Sequence, residues 1–324
     1  MKSKIVMIVC LIVGLLVLTA CPAPSPDSFN LQNDEVAGNL SIQMNGREVL
    51  IYRYGEEWDI VHYWPMNSPS GKNMLVQKTE PYPHHRSFWF ADTVSLDGGR
   101  QVSTYNALYS GNPVGENDYG PPFMDRIRHQ KISRLETAKN RAEVMCELVW
   151  EMDGTTPLLD ETRTMIFHDL GGGEFMLDVT FVLKASYGNV EFQSDDVHYA
   201  WPYLRLHTVL NGENGGTIVS DMGTRGQEAT NMKVALWIDY SAEVEGVMEG
   251  VAVFQWPDGE DHRWLTREYG CFGPRRADRL SGKPFILEKG FSIKQRISVL
   301  VHSGDVAGGR VAERYQQYIK GHWQ

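Results

Sequence analysis

From Leu40 onward the chain alternates apolar and polar residues with a period of two, and that period constrains the fold more than any other feature. In Ala142–Trp150, the side chains of Ala142, Val144, Cys146, Leu148 and Trp150 share one face, while Glu143 and Glu147 take the other. Phe175–Leu183 repeats the pattern, with Phe175, Leu177, Val179, Phe181 and Leu183 set against Asp178 and Thr180. Phe291–Val301 does so again through Phe291, Ile293, Ile297, Val299 and Val301. An α-helix would scatter such a set around its circumference, whereas an antiparallel sheet with one solvated face needs it. Further strands are expected near residues 48–54, 59–64, 127–135, 203–210, 234–240, 248–255 and 262–268, separated by breaks rich in Gly and Pro. The one helical pattern comes last, capped by Asp305 and carried by Val311, Tyr315, Tyr318 and Ile319. No composition shift marks a linker, and no repeat of fixed period is present. The fold class is therefore all-β: a single antiparallel two-layer β-sandwich over residues 39–324, closed by a C-terminal helix from about Asp305.

The beginning of the chain reads as an address. Lys2 and Lys4 precede an apolar run from Ile5 to Leu18, which ends Leu18-Thr19-Ala20-Cys21. A basic start, an apolar stretch and small residues before a cysteine mark residues 1–20 as a lipoprotein signal, with Cys21 as the lipidated residue. The run is short for a membrane span, and no later stretch approaches one. Polar Pro22–Asn39 suits a flexible tether, so residues 21–38 are read as lipid site and linker. The expected location is outside the cytoplasm, lipid-anchored to a bacterial membrane. Net charge is −10, and loss of the two signal lysines makes it −12, which argues against nucleic acid as a partner. Cys146 and Cys271 remain in an oxidising compartment, where a disulfide and two buried thiols are both open.

The stretch Glu80–Asp92, E-P-Y-P-H-H-R-S-F-W-F-A-D, concentrates unusual residues. Pro81 and Pro83 stiffen its entry. As a strand from His84 on, it would set His85, Ser87 and Trp89 on one face and His84, Arg86, Phe88 and Phe90 on the other. Its functional reading is an imidazole poised for proton transfer beside a cation that holds an anion. Its structural reading is a hydrogen-bonded core histidine and an arginine paired with a nearby acid.

Several segments together resemble one family of exported bacterial proteins. They are Tyr63-Trp64-Pro65-Met66 running into Ser68-Pro69-Ser70-Gly71-Lys72, then Pro83-His84-His85-Arg86-Ser87-Phe88-Trp89-Phe90-Ala91 and Arg126-Ile127-Arg128-His129. Leu236-Trp237-Ile238-Asp239-Tyr240-Ser241, Arg267-Glu268-Tyr269-Gly270 and Val299-Leu300-Val301-His302-Ser303-Gly304-Asp305 follow in order. This set resembles the PmoA-like family. The family's name points to a methane monooxygenase subunit, which needs several membrane spans that are not seen in this sequence. The resemblance implies instead the company of sugar-degradation proteins and, by analogy, a galactose-mutarotase-like sandwich. One departure stands out: where the family tends to carry a Glu-Gly segment, this chain has Gln193-Ser194-Asp195-Asp196-Val197-His198-Tyr199-Ala200-Trp201 before Leu204-Arg205-Leu206.

Sugar C–O chemistry needs one group that takes a proton and one that gives it. His84, His85 and Arg86 with His198 and Asp196, beside Asp195, form the catalytic candidate, with a solvated turn as the plain alternative for the two aspartates. No cofactor is required. A metal held by His84, His85, His129, His198 or His207 is the weaker reading, since no pair has metal-ligand spacing. The basic loop with Arg263, Arg267, Arg275 and Arg276 suits an anionic sugar, or else only balances surface acid. Trp89 and Trp201 are candidate sugar platforms among tryptophans that mostly pack cores. The expected function is cleavage or elimination of a sugar C–O bond in an anionic or oxidised glycoside, such as a uronic or sulfated oligosaccharide, by a lyase, dehydratase or hydrolase using His/Arg/Asp acid–base chemistry. The alternative is a glycan-binding lipoprotein without catalysis.

Overall fold

The alternating segments pair into three antiparallel sheets in the computed structural model, which describes residues 27–80, 82–109, 121–193 and 200–321. The long sheet has eight strands, in the spatial order Thr217–Ser220, Trp237–Val244, Val247–Gln255, Ser292–Ser303, Glu174–Lys184, Thr156–Gly171, Arg141–Met152 and Arg126–Ala138. The front sheet also has eight, running Phe29–Asp34, Asn39–Met44, Arg47–Arg53, His62–Met66, Phe88–Trp89, Tyr203–Arg205, Cys271–Pro274 and Trp264–Thr266. A four-stranded sheet of Phe285–Leu287, Val190–Phe192, Thr93–Leu96 and Val102–Ser103 flanks them.

Period two buries one face of each large sheet against the other. Ala142, Val144, Cys146, Leu148 and Trp150 join Phe175, Leu177, Val179, Phe181 and Leu183 in one core with Leu40, Ile42, Tyr63 and Phe88 of the front sheet. Rings bridge the layers: Phe90 stacks on Phe181 at 4.3 Å and Phe272 lies 4.3 Å from Tyr240. The outer face of the long sheet has its own apolar patch at Met176, Trp237, Ala252, Phe254 and Leu300, which Val311, Tyr315 and Tyr318 of the last helix cover.

Four expectations change. Residues 29–34, expected within the tether, form a strand on Asn39–Met44, because Phe29 reaches the core and packs on Phe167 at 6.1 Å. The helix spans Val311–Ile319, not from Asp305, whose carboxylate instead accepts from Ala307 N and Gly308 N in the preceding turn. The strand at Tyr203 stops at Arg205, where the chain turns into a short 3-10 segment, Thr208–Leu210. Phe291 lies outside its strand and is exposed. Cys146 and Cys271 are both free and buried, which settles the open alternative. No described helix is long and apolar enough to cross a membrane.

Candidate functional site

The edge of the front sheet carries a cavity of about 360 Å³, within the range of small-ligand sites. Tyr82, His84, His85, Tyr105, Asn106, Tyr203, Leu265, Arg267, Tyr269 and Cys271 line it. Alternation aims these side chains. In the strands Tyr203–Arg205 and Cys271–Pro274, Leu204 pairs with Phe272 and Arg205 with Cys271. Phe272 faces the long sheet, with its ring 4.3 Å from Tyr240, and Leu204 shares its face as cross-strand partner. Tyr203, Arg205 and Cys271 therefore take the opposite, cavity-side face. Tyr105 and Asn106 come from the 3-10 segment Thr104–Tyr109, and Arg267 and Tyr269 from the turn leaving Trp264–Thr266.

His84 and His85 both line this cavity, contrary to the expectation that an extended backbone would part them. The strand begins only at Phe88, and the backbone before it folds as a turn in which His85 N donates to Tyr82 O at 3.0 Å. Pro83 takes the second position of that turn, where its fixed φ is favoured. The two rings meet edge to face at 4.6 Å, and Tyr82 stacks on His85 at 4.8 Å and 17°. The Tyr105 hydroxyl is 3.0 Å from His85 Nε2. Burial, then the neighbouring His84 and Arg205, hold the His85 imidazole down to about 3. Burial and the Arg86 charge hold His84 at about 4, against a smaller opposing pull from Asp59. Both rings are thus neutral at physiological pH. Burial pushes the Cys271 thiol up to about 12, so it is no nucleophile.

Arg86 is not in the cavity. It is fully buried, with Nε donating to Asp59 Oδ1 at 2.9 Å and Nη2 contacting the same oxygen. It therefore lies beyond the reach of a bound anion, and the structural reading of this residue holds. Trp89 is also fully buried, stacked on Tyr203 at 4.8 Å, and Trp201 packs in the core 5.0 Å from Phe90. Neither offers a ring face to a sugar.

Of the basic loop, only Arg267 reaches the cavity. Arg263 is exposed and paired with Asp278 at 2.9 Å. Arg275 is buried against Met232, and Arg276 is buried with Asp92 at 3.3 Å and the Gln193 carbonyl at 3.0 Å. Asp195, Asp196 and His198 lie outside the described residues, as does Cys21.

Among the described residues no three His, Cys, Asp or Glu side chains converge as a metal site. His129 packs on Tyr54 at 4.3 Å, and His207 caps a turn by accepting from Val209 N. Sequence reasoning missed Tyr82, Tyr105, Tyr203, Tyr269 and Arg205. Tyr82 and Tyr269 sit inside the quoted motifs, so attention to phenols as well as tryptophans was the available signal.

Fold and site together define an antiparallel β-sandwich protein with an aromatic, arginine-bearing cavity that no described carboxylate lines. The chain belongs to the family of unknown function DUF6807, whose model matches residues 39–316. A search of curated proteins finds no match. Among solved structures, a GH36 α-galactosidase from Geobacillus stearothermophilus is similar at a TM-score of 0.46 and 9% identity, over 86% of this chain. The match spans 42% of that enzyme's length. A polysaccharide lyase matches at 0.36 and 9% identity, over 81% of this chain and 33% of its own. The galactose 1-epimerase from Lactobacillus acidophilus matches at 0.36 and 9% identity, over 86% of this chain and all of its own. These likenesses carry no residue role or activity to this chain.

Proposed function

We propose that the protein is a carbohydrate-active enzyme that breaks a sugar C–O bond in this cavity by imidazole–phenol acid–base chemistry. The observation that carries the reading is the convergence of two neutral imidazoles and the His85–Tyr105 hydrogen bond among aromatic walls. A ring-shaped substrate has flat surfaces at Tyr82 and Tyr269 to lie against, whose rings are 5.5 Å apart. His84, less buried than its neighbour, takes the proton from the substrate. The His85–Tyr105 pair gives one to the departing oxygen. This assignment keeps His84 and His85 from the sequence reading and replaces Arg86 with Tyr105. A two-carboxylate glycosidase mechanism finds no acid among the described lining residues, which favours an imidazole base. The Leu18–Cys21 signature and the Pro83–Arg86 motif support an exported, lipid-anchored enzyme with PmoA-like kinship.

The test is mass-spectrometric product analysis on neutral, uronic and sulfated oligosaccharides with the wild type, His84→Ala and Tyr105→Phe. Cleavage by the wild type is expected, reduced on the order of a hundredfold or more in each variant while the melting profile is kept. A wild type that binds an oligosaccharide but leaves it intact is a glycan-binding lipoprotein, and the enzyme reading then fails.

A further inference from the structure

The described surroundings of the cavity contain two arginine charges that no described carboxylate balances. Arg267 lines the cavity, and its Nη1 donates to Asn231 Oδ1 at 2.7 Å and to the Thr266 carbonyl at 3.1 Å. Among the described residues, the hydrogen bonds of its guanidinium all leave from Nη1. Arg205 is 6% exposed, and its Nε and Nη1 are buried without a hydrogen-bond partner among the described residues. Its place is set by the strand. Tyr203 precedes it by two residues on the same face, Cys271 is its cross-strand partner, and its guanidinium lies 4.2 Å from the Tyr269 ring. All three neighbours line the cavity. Buried N–H groups of a cation left unpaired are costly unless something else accepts from them. Three other buried or half-buried arginines of this protein are each neutralised by a carboxylate, Arg86 by Asp59, Arg163 by Glu161 and Arg296 by Asp178. Arg205, as buried as these, has no described carboxylate within ion-pair distance and lies beside the cavity.

We infer that Arg205 and Arg267 form a carboxylate subsite, so that the substrate is a uronic acid and the reaction an elimination. This rests on the acid–base reading of the same cavity. The planar fork of a guanidinium matches a carboxylate. A carboxylate neutralised there acidifies the C–H beside it. The base takes that proton, its electron pair becomes a C=C bond, and the C–O bond one carbon further breaks. The departing oxygen is protonated, and no water is consumed.

The test uses the full-length protein with oligogalacturonate, its methyl ester and inorganic sulfate, with binding followed by calorimetry and products by mass. The free acid is expected to bind at least tenfold more tightly than the ester, and Arg267→Gln to remove that preference by a similar factor. Arg205→Lys is expected to weaken the acid by more than it weakens the ester; should it not fold, the ester comparison and Arg267→Gln decide. Equal affinity for acid and ester, or sulfate competing as strongly as the acid, overturns the carboxylate subsite. Arginine-dependent binding of the acid without cleavage leaves the subsite standing and sinks the enzyme reading. Cleavage of neutral oligosaccharides that ignores both arginines does the reverse.

Discussion

Replacing Arg86 is expected to cost stability and not sugar affinity. Arg86 and Asp59 have side chains 0% and 1% exposed, joined through Nε and Nη2 to a single carboxylate oxygen. Arg86→Met leaves Asp59 as a charge in the core with nothing to offset its desolvation. Removing one partner of such a pair costs about 3–5 kcal/mol. For a domain of this size that corresponds to a fall in melting temperature of roughly 5 to 8 °C. Replacing both residues with apolar side chains removes the charge as well as its partner, so Asp59→Leu with Arg86→Met should recover much of the loss. His84 supplies a second readout: the Arg86 charge lowers its pKa, so its titration moves up in Arg86→Met. The assay is thermal denaturation of the two single variants and the double, paired with calorimetric binding of an oligogalacturonate. If Arg86→Met melts with the wild type yet loses the sugar, Arg86 belongs to the binding site and the burial argument is wrong.

Acid should unfold this protein steeply. Burial holds His84, His129 and His168 at about 4 and His85 at about 3, with His62 also well below its ordinary value. A histidine depressed in the folded state favours the unfolded chain once pH drops below about 6.5, so stability falls from there to about pH 4. Calorimetry in two buffers at pH 5 should show several protons taken up per molecule unfolded, and none taken up would refute the assignment. His302 behaves oppositely: burial would lower it, but the Asp239 hydrogen bond at 2.8 Å and its charge more than offset this and raise it. Its contribution is complete below about pH 6.5 and is lost as pH rises through the raised folded value, so the destabilisation in His302→Gln should shrink toward alkaline pH. A pH-independent difference between the two proteins would exclude that charge pair. Gly309 and Gly250 leave room for the His302 ring, since a Cβ at either would overlap it, and Ala at either position should lower the melting temperature. Normal melting of both variants would show that the ring moves freely. Labelling cells with a radioactive fatty acid should mark the wild type and spare Cys21→Ala; equal label in both means the N-terminal signal was misread.

The alternation in residues 142–150 and 175–183 was enough by itself to establish antiparallel strands and the face each buries, because a period of two is local information that every strand carries. The last helix was legible for the same reason, although its start was not: the Asp305 carboxylate caps a turn with no helix directly behind it. That His84 and His85 of the Pro83–Arg86 run share one cavity could not be read from the run itself. A single hydrogen bond from His85 N to Tyr82 O turns the backbone, and that turn brings both imidazoles to one cavity. Whether an arginine is occupied depends on residues remote in the chain. Asp59, 27 positions away, neutralises Arg86, while Arg205 has no such acid among the described residues and stacks on Tyr269. Charge compensation is a property of neighbours in space, so only the tertiary structure could decide which cations are paired with an acid.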